Sequence, residues 1–157
     1  MRIADLASKC SLSEDDVRYV AAIIAGHPAT EDSIGPESAM ICLLYGMIKR
    51  AGFATDEATS MLFRYRDRLG ELAKSYEAAK DGTEMPATSF QVWDNEYAVL
   101  TEPGKPEREA FDFRKMVSKE RVRTPALFLG FVLPALFERA FVARQSSSDP
   151  QLEAEGK

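Results

Sequence analysis

The side chains best suited to nucleophilic or metal chemistry in this chain are the thiols of Cys10 and Cys42 and the imidazole of His27. A catalytic or metal-binding thiol acts as the thiolate and wants an exposed, electropositive setting or a second thiol at C-x-x-C spacing. Neither condition is met. Both cysteines sit inside apolar helical patterns and read as small buried hydrophobes. His27 is the one histidine and stands before Pro28 in a turn, so neither a zinc site nor a histidine-based triad can be assembled. Gly26, Gly35, Gly46 and Gly52 are scattered and follow no strand, which rules out a Gly-rich phosphate loop. Neighbouring acids such as Glu14 and Asp15 diverge on a helix surface and cannot converge on one substrate atom. The residues therefore predict no catalytic group, no metal and no cofactor: not an enzyme.

What remains is charge that could recognise a partner. Arg114, Lys115, Lys119, Arg121 and Arg123 surround a single Glu120 and form the strongest basic patch, suited to phosphate contacts or simply to a solvated face. Arg64 and Arg68 lie one turn apart, with Lys49 and Arg50 ending the preceding helix. They could clamp a phosphate, or pair with Glu57 and Glu71 along one helical flank. The formal charge of −5 argues against non-specific coating of nucleic acid.

A length of 157 residues, 45% hydrophobic and 29% charged, suits one domain or two very small ones. No apolar leader and no run long enough to cross a bilayer is evident, so the expected address is the cytoplasm, with no membrane partner.

The elements that must position these charges are organised around residues 36–76. Gly35 as N-cap, Pro36 at N1 and Glu37 in the first turn mark a helix start. From Met40 to Ile48 the run is apolar nearly all round, the pattern of a buried helix. Gly52 at C′ and Phe53 at C″ predict a Schellman ending. Thr55 is read as the cap of a second helix, whose stripe of Ala58, Met61, Leu62, Tyr65, Leu69, Leu72, Ala73 and Tyr76 packs on the first.

Ahead of this pair, residues 2–9 keep helical spacing. Ser13 with Asp16 makes a near capping box, Leu12 can staple onto Val17, and a second short helix begins at Glu14 and stops at Gly26-His27-Pro28. Two short helices joined by a tight turn match the helix-turn-helix plan.

After Gly82 the period changes to that of strands. Residues 89–93 and 97–101 flank Asp94-Asn95-Glu96 as a hairpin, and 110–116 read as a third strand. Thr124 and Pro125 are read as the start of a last helix through Leu127 to Val142, kinked or divided at Pro134. Its apolar surface, with Leu129, Phe131, Leu133, Phe137 and Phe141, is either threaded through the core or shared with a second subunit; a homodimer contact is favoured. Residues 145–157 read as a disordered tail.

The run MRIADLASKCSLSEDDVRYV, with its Arg18-Tyr19 pair, resembles the opening of the MerR-type winged-helix regulators, and AGFATDEATSML is similar to that family's Gly-Phe turn and helix, on Gly52, Phe53 and Glu57. The resemblance covers the first half of the chain. It implies a dimeric DNA-binding transcriptional regulator in which Arg2, Ser13, Arg18 and Tyr19 approach double-stranded DNA.

Two departures weigh against that use. Glu14, Asp15 and Asp16 fill the first turn of the second helix, which suits its dipole and repels DNA. The stretch 29–34, where the wing would lie, carries Glu31 and Asp32 and no base; over residues 1–37, three bases against seven acids give −4. The alternative is a non-enzymatic adaptor or inhibitor that holds a protein partner. The expected fold is α+β and mainly helical: a helix-turn-helix-like four-helix unit over 1–80, then a small antiparallel sheet and a kinked C-terminal helix over 86–144.

Overall fold

The computed structural model describes residues 1–79, 83–93, 98–104 and 127–142. It is an α+β fold, mainly helical, with a three-stranded antiparallel sheet. The expected strand at 110–116, the basic patch from Arg114 to Arg123, the start at Thr124-Pro125 and the tail at 145–157 all lie outside the described residues.

Helix α1 spans Ile3–Cys10 and buries Ile3, Leu6, Ala7 and Cys10. It ends with Ser11 in the left-handed region at φ 57°, and the Leu12 N–H donates to the Ala7 carbonyl at 2.9 Å, a Schellman pattern carried by a serine. Helix α2, Glu14–Tyr19, opens on Ser13, whose hydroxyl accepts from the Asp16 N–H at 3.0 Å. It runs directly into a wide π-helical turn, Val20–Ala25, closed by Gly26 at φ 77°. Val17, Val20, Ala21 and Ile24, the apolar face expected from spacing, are all fully buried.

Helix α3, Pro36–Arg50, is the centre of the core. Gly35 caps it, Pro36 fills the first turn, and every residue from Ser38 to Gly46 is buried. Its end is the expected Schellman motif: the Phe53 N–H reaches the Ile48 carbonyl at 3.4 Å, the Gly52 N–H reaches Lys49 at 3.0 Å, and Gly52 takes φ 107°.

Gly46 is needed for a different reason. A Cβ there would fall inside contact distance of the Cys10 carbonyl oxygen, so only glycine lets the end of α1 sit against α3. The Arg50 guanidinium donates to that same oxygen at 2.9 Å, giving a terminal carbonyl of α1 a partner from α3.

The single helix expected over residues 55–76 is two helices, α4 (Thr55–Phe63) and α5 (Arg66–Ala78). The N-cap of α4 is Ala54 rather than Thr55. Alanine offers no side-chain acceptor, and only the return half of a capping box forms, with the Glu57 carboxylate accepting from the Ala54 N–H at 2.7 Å. Thr55 instead accepts from Lys49 Nζ at 3.0 Å, across the joint.

The break at Tyr65 has a tertiary cause. Its ring meets Phe90 edge-on at 6.0 Å and its hydroxyl donates to the Ala98 carbonyl at 3.2 Å, contacts that tie the joint to the sheet. Periodicity continues across the break because Leu62 and Leu69 bury the same face.

Strands β1 (Ser89–Trp93) and β2 (Ala98–Thr101) pair antiparallel, as the hairpin reading expects, with Phe90 opposite Leu100. The third described strand, β3, is Leu127–Val132, in the order β2-β1-β3. That corrects the expectation of a helix through this run. Six apolar residues fit either state, and here Phe131 pairs opposite Phe90 on β1. Pro134 does not kink a long helix; it sits in the first turn of a short one, α6 (Leu133–Phe137), which passes into a π-helical turn, Glu138–Val142. Leu133 and Phe137 are buried within the chain's own core, and Leu129, Phe131 and Phe141 are partly buried against it.

A forked ion pair also ties the helices to the end of the sheet. Arg68 on α5 places Nε and Nη2 on the Glu102 carboxylate at 2.7–3.1 Å and Nη1 on Glu71 at 2.8 Å. The expected pairing of Arg68 with Glu71 is present, but Glu102, at the end of β2 and only 15% exposed, is the stronger partner.

Two stability measurements check this architecture. Gly46→Ala gains about 1 kcal/mol of helix propensity, yet the clash with Cys10 outweighs it, so chemical denaturation is expected to show a net loss of about 1–3 kcal/mol. Arg68→Ala removes the forked partner of a largely buried carboxylate and should cost about 1–2 kcal/mol, with Arg68→Lys recovering only part because a point charge cannot fork.

Candidate partner-binding surfaces

Of the residues nominated for DNA contact, Ser13 and Arg18 have side chains that are already engaged. Ser13 spends its hydroxyl on the Asp16 N–H. Arg18 turns back onto the 29–34 loop, donating from Nη1 to the Glu31 carbonyl at 3.3 Å and lying 3.6 Å from an Asp32 carboxylate oxygen through Nη2. Arg2 is the N-cap of α1 and bridges to Ser33 through the backbone. Tyr19 stays outward, 39% exposed.

The loop itself is a tight turn rather than an extended wing. Thr30 and Ser33 exchange two backbone bonds at 2.9 Å, Glu31 takes φ 56°, and Ile34 is buried and bonded to Met1. The outward surface of α2 is thus Glu14, Asp15, Asp16 and Tyr19, continued by Ile23, which is 53% exposed on the π-helical turn.

Close by, the π-helical turn packs against α4 and α5. Phe63 is 47% exposed, and the Arg66 guanidinium lies 4.3 Å from its ring centroid while its other side rests against Gly26. Arg64 is held over the Tyr65 ring at 5.7 Å. The phosphate clamp imagined for Arg64 and Arg68 is not assembled, because Arg68 is occupied by two carboxylates.

A second surface was not readable from the sequence. A half-open groove of about 1270 Å³ is lined by residues from α1, the start of α3, the end of α5, the 83–87 stretch and α6 with its π-helical turn. Its floor includes Phe137, which stacks against Tyr76 at 5.7 Å and Phe141 at 4.9 Å. Burial pushes the Tyr76 phenol up, against the nearby Thr88 hydroxyl, which favours the charged form. Val132, Val142 and Met1, three of the large apolar residues that remain exposed, lie on its walls. No local pattern announces such a groove, since each wall comes from a different part of the chain.

The two thiols are both buried. Desolvation pushes Cys10 up to about 12, with Arg50 and Lys9 pulling weakly the other way, and pushes Cys42 higher still. Cys42 donates weakly to the Val17 carbonyl at 3.9 Å. Ser38, buried beside them on α3, donates to the His27 carbonyl at 2.7 Å and so fixes the end of the π-helical turn. Among the described residues no three metal-ligating side chains cluster, and no helix is long and apolar enough to cross a membrane.

The chain matches no family model, no curated protein and no solved structure.

The thiol geometry gives a direct check. Native protein at pH 8 should leave Cys10 and Cys42 unlabelled by a maleimide over a time in which denatured protein is fully labelled, and mass spectrometry of both samples reads the difference.

Proposed function

We propose that this chain is a non-enzymatic protein-binding module, an adaptor or inhibitor, that uses a helix-turn-helix scaffold without its usual DNA chemistry. The observation that carries this reading is the outward face of α2. Three carboxylates occupy its first turn and its one base, Arg18, is folded back onto Glu31 and Asp32. A surface of that kind repels a phosphate backbone. It offers instead acids flanking two exposed apolar side chains, Tyr19 and Ile23, a mixture of aromatic and apolar anchors with a polar rim that suits a protein interface. A cytoplasmic setting fits two reduced cysteines.

The second reading, a dimeric MerR-like regulator, draws on two observations: the short-helix, turn, short-helix order of α1 and α2, and the Gly52-Phe53 Schellman joint between α3 and α4. In that reading Arg18 would leave the loop to reach a phosphate, and Arg2, Ser13 and Tyr19 would approach the groove.

Two measurements separate the readings. A photo-crosslinking amino acid at Tyr19, activated in cell extract, is expected to yield polypeptide adducts that resist nuclease. Labelled duplex at low ionic strength is expected to show no binding. A duplex affinity that falls steeply with salt and weakens on Arg18→Ala would overturn the protein-binding reading in favour of the regulator.

A further inference from the structure

The groove between α1, α5 and α6 has a chemical character that narrows what can fill it. Four carboxylates stand at its edges, on Asp5, Glu77, Glu84 and Glu138, all exposed, and among the described residues none of them has an ion pair. Among the described residues, the two cations lining the groove are already committed to carbonyl oxygens. Lys9 Nζ donates to Ala140 at 2.7 Å and stands 5.9 Å over the Phe141 ring, and the Met1 amine donates to Ile34 at 3.1 Å.

The lining between these edges is mixed polar and apolar, and its apolar part includes Val132, 51% exposed, and Val142, 39% exposed, with the Phe137 and Phe141 rings. A monomer rarely leaves such residues together in a concave place without an occupant. Acidic edges weigh against a nucleic acid or an anionic membrane, since both would place phosphates against carboxylates.

Size decides between the remaining occupants. Small-molecule pockets run to roughly 300–1,000 Å³, and this groove is larger at about 1270 Å³. A helix about 10 Å across fills that space with roughly three turns. We infer that the groove receives a basic amphipathic helix from a protein partner, its apolar stripe laid on Val132, Val142 and Phe141 and its Lys or Arg residues directed at Glu77, Glu84, Glu138 and Asp5. This is the helix-in-groove mode of recognition, in which apolar anchors supply affinity and the flanking charges supply orientation. The inference rests on the protein-binding reading and names the chemistry of one partner; it uses a different surface from the outward face of α2.

The test uses the full chain and a fluorescein-labelled amphipathic Leu/Lys peptide of about five turns, followed by anisotropy. The peptide should bind, while a Leu/Glu peptide of the same pattern and a Leu/Lys peptide of scrambled order should not. Glu77→Gln with Glu138→Gln, both on exposed side chains, should weaken binding about tenfold. Val132→Ser with Val142→Ser should weaken it comparably. Neutralising Glu14, Asp15 and Asp16 removes more charge elsewhere and should leave affinity within about twofold.

Equal weakening by that distant triple variant, or equal binding of the scrambled peptide, would mean general charge attraction and overturn the groove assignment. So would binding of anionic vesicles in place of the peptide. If Tyr19 crosslinks polypeptide while no basic peptide occupies the groove, this inference fails and the wider reading stands. If duplex binds through Arg18 while the groove variants lose the peptide, the reverse holds.

Discussion

The carbonyl oxygen of Cys10 lies where a side chain at position 46 would begin, and the Arg50 guanidinium, one turn further along α3, donates to the same oxygen. Backbone-to-backbone approach of this kind requires a residue without a Cβ on one side and a donor for the terminal carbonyl on the other. With both supplied, α1 is fixed in place on α3. The Ser11-Leu12-Ser13 turn follows from that position, and so does the start of α2, whose Val17 reaches the same core. The 29–34 loop is then strapped to the beginning of α1 through Ile3 and Ile34, which is what brings Glu31 and Asp32 within reach of Arg18. The position of Arg18 on α2 is thus coupled to a contact on the opposite end of α1.

Local chemistry made half of this readable before any coordinates. Gly35-Pro36, Ser13 with Asp16, and Gly52-Phe53 act within a few residues of themselves, and each ends or begins a helix where its cap chemistry places it. The readings that changed depend on partners distant in sequence. The apolar stripe through Tyr65 is continuous, and the Phe90 ring and the Ala98 carbonyl, distant in sequence, hold Tyr65 at the break. The run from Leu127 is equally apolar for helix or strand, and the deciding partner is β1.

The candidate surfaces divide the same way. The acidic first turn of α2 is visible in three consecutive residues, and its meaning for DNA needs only Coulomb's law. The capture of Arg18 is not, because it depends on the loop folding back. Nor is the groove, whose Asp5, Glu77, Glu84 and Glu138 come from four separate stretches that only the fold gathers. The same holds for Arg68, where the helical neighbour Glu71 was foreseeable and the more buried Glu102 was not.

The order β2-β1-β3 also bears on how the molecule assembles in time. β1 meets β2 through a short connection, whereas the β1 to β3 ladder closes a loop as long as the one between α1 and α3. The entropy of that closure is lost only when β3 arrives, and it must be recovered at once by the pairing of Phe131 opposite Phe90 and by Leu133 entering the core. Pairing of β1 with β2 is therefore expected to run ahead of sheet completion, leaving Phe90 uncovered on one side in the interval. A nascent chain in that state exposes an apolar strand edge, and the speed with which its C-terminal third emerges and docks governs how long it is open to aggregation.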